Sequence, residues 1–214
     1  MKKSAVILGT ASLALSGCFA PPEPIVLSDD SIEAARTCFV AQGMVLREGK
    51  SEGDAVSYTE LAESMKYALA AAAQTEPFST ETVSAVLNGT SDIIDQVGQQ
   101  DYTGAIADCD ARFGTNEPVS LPEEDAQAVL SCLTLSAFLQ GAAESQAAEF
   151  GDDGASVVAL FERLEARMET DPDVLVLLIG SDGDDVMNSA TQTAFSAGSP
   201  QEFINQCAAR FPAE

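Results

Sequence analysis

The sequence predicts an all-α protein built as two tandem four-helix repeats, each stapled by a disulfide, together forming one helical array. Three observations carry this. Apolar residues recur at helical spacing between residues that start and stop helices, such as Ser199-Pro200-Gln201-Glu202 and the Gly114 that follows Phe113. A motif recurs, with Ile106 to Phe113 aligning with Ile204 to Phe211 as I-x-x-C-x-A-R-F. Four cysteines fall into pairs of similar span, 109 − 38 = 71 and 207 − 132 = 75, and each pair opens and closes one unit. On this reading Cys38 joins Cys109 and Cys132 joins Cys207, one of the three pairings open to four cysteines. Free, reactive thiols are the alternative.

The chain opens with Met1-Lys2-Lys3, a cationic start, and an apolar run from Ala5 to Leu15 that is too short to span a bilayer. That is the pattern of a secretory leader. It ends in Leu15-Ser16-Gly17-Cys18, which resembles the lipobox of bacterial lipoproteins, over residues 1–18 only. The resemblance implies that residues 1–17 are a signal peptide and that Cys18 becomes the acylated amino terminus, so the first partner is a membrane. Acyl chains contribute about 0.8 kcal/mol per buried methylene, enough in combination to hold a protein on a bilayer with no spanning helix. Phe19, not Asp, follows the cysteine. Within that family this implies the outer membrane, facing the periplasm or the cell surface. Residues 18–30 are then the lipidated cysteine and a tether, extended by Pro21, Pro22 and Pro24.

Repeat 1 covers residues 31–116. Its first helix runs from Ser31 to about Glu48, with Asp29, Asp30 or Ser31 as cap. Asp54 opens a second through Leu61, Met65 and the small residues 68–73, which permit close approach of a neighbour. A third begins at Ser79 or Thr80 and is interrupted near Asn88-Gly89, and Asp101 starts the fourth, which carries Cys109. Repeat 2 covers residues 117–214. Its helices are expected from about Leu121 to Gln146, after a capping box at Ser120; through Val157 to Met168; from Asp171-Pro172; and from Ser199. The run Val174–Ile179 reads as strand or helix by composition, and the Asp171-Pro172 opening favours helix.

Composition narrows the chemistry. Acidic residues number 34 and basic ones 10, a formal charge of −24, and loss of Lys2 and Lys3 with the leader makes it 8 − 34 = −26. Such a field repels phosphate, so no nucleic-acid partner is expected. The absence of His removes imidazole bases and imidazole metal ligands. Lys50 and Lys66 complete no S-x-x-K frame, because Arg47 and Glu63 stand three positions earlier. No catalytic residue and no cofactor is assigned. Asp182, Asp184 and Asp185 are metal candidates that lack the alternating frame and distant Glu of a helix-loop-helix calcium site; a solvated loop capping the next helix accounts for them better. Arg112 and Arg210 recur at equivalent places. They read either as contacts for an anion or partner, or as cations complementing helix ends.

These observations predict a non-enzymatic envelope module for protein interaction, with a carrier or sensor of a small apolar ligand as the alternative. The first expects an exposed apolar patch, the second an apolar cavity lined by the Ala-rich second helix.

Overall fold

A computed structural model describes residues 21–51, 54, 57–76, 78–145, 154–180 and 182–213, with 143–145 described by their backbone alone. The leader and Cys18 lie outside these residues.

The all-α expectation holds, with ten helices among the described residues. In the first half these are α1 (Ser31–Arg47), α2 (Tyr58–Ala73), α3 (Glu81–Leu87), α4 (Thr90–Gly98) and α5 (Tyr102–Phe113). The second half holds α6 (Asp125–Ser145), α7 (Ala155–Thr170), α8 (Pro172–Ile179), α9 (Gly183–Phe195) and α10 (Pro200–Arg210). Among the described residues each half holds five helices instead of the four expected. The third helix of each unit divides, at Gly89 with φ +87° in one and at the extended Gly180 in the other. Val174–Ile179 is helical, opened by the Asp171 carboxylate accepting from the Asp173 N–H at 3.0 Å, with Pro172 at the first turn.

Local chemistry sets most boundaries. The Asp30 carboxylate accepts from the N–H groups of Ile32 and Glu33 and starts α1. The second helix starts from Ser57, not from Asp54. Ser57 and Glu60 form a reciprocal capping box, while the Asp54 side chain accepts from the Ser51 N–H within the preceding loop. The box expected at Ser120 does not start α6, which begins at Asp125.

Both expected disulfides are present, Cys38–Cys109 joining α1 to α5 and Cys132–Cys207 joining α6 to α10, with Cα separations of 5.7 and 5.8 Å. In each half the first helix is central, α1 against α2 to α5 and α6 against α7 to α10. The halves are not separate cores. Leu61, Leu69 and Phe113 share one buried cluster with Leu139, Leu160 and Phe203. The bridge is α2, which is buried on nearly every side and packs on α6, α9 and α10. Its Ala68–Ala73 face brings backbones close enough for the Gln192 side-chain amide to donate to the Ala73 carbonyl at 2.8 Å, satisfying a free group at the helix end.

The tether expected over 18–30 is seated on the body from Glu23 onward. Strand β1 (Glu23–Pro24) pairs in parallel with β2 (Gln100–Asp101), and Ile25 is buried with Val40, Ala41, Val97 and Ala105 in a second, smaller cluster. No helix among the described residues is long and apolar enough to cross a membrane, and two disulfides belong to an oxidising compartment.

Candidate functional site

An apolar groove of about 570 Å³ opens between the halves, bounded by α1, α2, α3 and α6. Phe39 and Leu46 of α1, Leu61 and Met65 of α2, and Val83 and Leu87 of α3 form its apolar walls, with Ala137 and Phe138 of α6 opposite. Its room comes from glycine. A Cβ added to Gly43 or to Gly141 would meet nothing within 4 Å, so both helices leave space where a side chain would otherwise fill it. The Ala-rich stretch expected to line such a cavity lies instead in the core between the halves, because its small side chains serve helix packing. Only the first turns of α2 reach the groove.

Its rim is polar. Lys50 forms an ion pair with Glu60, and the Lys50 hydrogen bond, followed by the Ser57 backbone donor, holds the Glu60 carboxyl below its ordinary range. Arg47 donates to the Asp54 carbonyl at 3.3 Å. A charged, partly exposed rim thus stands over an apolar floor. No sequence pattern groups Arg47, Lys50 and Glu60 as one rim; the one local signal is the Ser57-to-Glu60 capping pattern.

Arg112 and Arg210 are brought to equivalent structural duty. From the end of α5, Arg112 donates to the Asp29 carbonyl at 2.9 Å, just ahead of α1. From the end of α10, Arg210 donates to the carbonyls of Pro122 and Glu123, both at 2.5 Å, and to the Asp125 carboxylate at 2.6 Å, at the start of α6. Each arginine therefore clamps the chain entering the first helix of its own half, one turn from that half's disulfide. Beside them Phe113 and Phe211 are buried, Phe113 against Tyr67 and Phe211 beneath the guanidinium groups of Arg167 and Arg210.

Asp110 departs from the repeat, since Ala208 stands at its place in the second copy. Its Oδ1 accepts from Thr115 at 2.5 Å, Tyr67 at 2.8 Å and Lys66 at 3.0 Å. Burial opposes its ionisation, but these three donors together outweigh burial and keep the carboxyl below its ordinary range. Tyr67 is pushed up, first by burial and then by Asp110. Asp182 precedes α9, and Asp184 and Asp185 lie in its first turn, where the helix dipole favours carboxylates. Among the described residues no group of three or more His, Cys, Asp or Glu side chains converges to hold a metal.

Compared with known proteins, the chain matches no family model, no curated protein and no solved structure.

Proposed function

We propose that this protein is a bacterial envelope lipoprotein, anchored through an acylated Cys18, whose groove between α1, α2, α3 and α6 holds a small apolar ligand as a carrier or sensor. The observation that supports it most is the groove itself, whose volume of about 570 Å³ lies within the roughly 300–1,000 Å³ of small-molecule sites. Its apolar floor would take the ligand's body, and the Lys50–Glu60 pair with Arg47 would meet a polar end. The leader and lipobox support the membrane placement.

A second reading, the protein-interaction module, is supported by α8. Its Val176 and Ile179 are 71% and 80% exposed, one helical turn apart.

Binding of an environment-sensitive apolar dye to the purified protein separates the two. Gly141→Leu places its side chain in open groove space, so dye affinity should fall about tenfold or more, equivalent to roughly 1.4 kcal/mol. The unfolding midpoint should not fall. Val176→Ser with Ile179→Ser should leave dye affinity unchanged. Retained affinity in Gly141→Leu would reject the groove, and loss confined to the α8 variant would favour the interaction reading.

A further inference from the structure

The last stretch of chain before the helical body is held down at two points. Glu23 and Pro24 pair in register with Gln100 and Asp101, and Ile25, 7% exposed, is packed among Val40, Ala41, Val97 and Ala105. The ladder is short, but the buried isoleucine adds an apolar latch. Three peptide steps separate Cys18 from Pro21, and three steps reach at most about 11 Å in any conformation. With acyl chains on Cys18 embedded in a bilayer, so short a leash leaves the body little freedom to turn.

We infer that the corner formed by Glu23–Val26 and Gln99–Asp101 is the surface this protein presents to the bilayer, resting against zwitterionic headgroups. The inference rests on the lipid-anchor reading. Two features of the corner fit that partner. Neither segment contains a Lys or Arg, while Glu23 and Asp101 carry negative charge, so anionic headgroups are repelled and zwitterionic ones are not. Val26 is 87% exposed directly after the buried Ile25, an apolar side chain available to the interface beside the anchor. In this orientation α8, in the other half of the molecule, is not on the attachment corner.

The chain contains no Trp, so a single introduced indole reports alone. Gln99→Trp marks the corner and Ile179→Trp marks α8. Each would be made in the full lipidated protein, in phosphatidylcholine vesicles containing a lipid with a nitroxide at its headgroup. Quenching of Gln99→Trp should exceed that of Ile179→Trp by at least about twofold, and a flexible Gly-Ser insertion between Ala20 and Pro21 should abolish the difference by lengthening the leash. Equal quenching in protein that floats with the vesicles would overturn the orientation while leaving the anchor standing. A difference that survives the insertion would overturn the short leash as its cause. Protein that fails to float with the vesicles would overturn the anchor reading itself.

Discussion

At the scale of single residues, the two recurrent arginines show how a repeated side chain acquires a structural meaning. Arg210 satisfies two backbone carbonyls and a carboxylate, whereas Arg112 satisfies one carbonyl at an exposed site. Hydrogen bonds from charged groups contribute about 1.5–3 kcal/mol where they are sheltered. Arg210→Ala should therefore lower stability in urea titration by about 2 kcal/mol, and Arg112→Ala by about 1 kcal/mol or less. Unchanged stability in both variants would return them to the role of ligand or partner contacts. Asp110 carries a pH signature. Because its folded pKa lies below the unfolded value of about 3.9, its contribution is present above about pH 4 and is lost as pH falls through the folded pKa. Asp110→Asn should be less stable at pH 7 and should converge on the parent as the solution is acidified. A constant gap between the two from pH 7 to pH 3 would show that the carboxylate charge contributes nothing.

At the scale of elements, each half is closed by one bridge between its first and last helices. The bridges span 71 and 75 residues, and in the chain-entropy picture loops of that length contribute about 4 kcal/mol each, less any strain. Replacing Cys132 and Cys207 together by Ala should lower the urea midpoint by an amount equivalent to about 2–4 kcal/mol, and Cys38 with Cys109 likewise. A loss below about 1 kcal/mol in either pair would mean that the packed first helix already confines its half without the bridge. Helix boundaries were legible wherever the signal is carried by neighbours in sequence. Asp30, Asp101, Asp171 and Ser199 all accept from a backbone N–H two or three residues on, and each stands where the sequence places a start. Ser120 misleads because its pattern is met in sequence, while Arg210, 88 residues from Pro122, holds that segment in a non-helical path.

At the scale of the whole molecule, repetition in sequence does not produce two independent bodies. The faces of α2 that would be bare in an isolated first half are covered by α6, α9 and α10, and Ser199 at the start of α10 donates to Glu63 at 2.6 Å. Thermal unfolding of the intact protein should accordingly show one transition, and residues 31–116 expressed alone should expose the Ala-rich face and fail to unfold cooperatively. Two resolved transitions in calorimetry, one reproduced by the isolated half, would contradict the shared core. The formal charge of −24 acts on the same scale. Raising salt from about 10 mM to 150 mM shortens the Debye length from about 30 Å to about 8 Å, so the melting temperature should rise as self-repulsion is screened.

What the sequence by itself determined is what short-range chemistry determines. Helical character follows from periodicity and caps, and the disulfide pairing from a motif whose two copies carry matching cysteines. The expectation of an envelope anchor follows from the leader alone. Only the tertiary structure decided that the tether is latched by Ile25, that α2 belongs to the core between the halves, and that the space left by Gly43 and Gly141 becomes a groove. Each of these depends on which faces of distant helices meet. That is settled by the joint packing of side chains that are distant in the sequence, for which no local pattern exists.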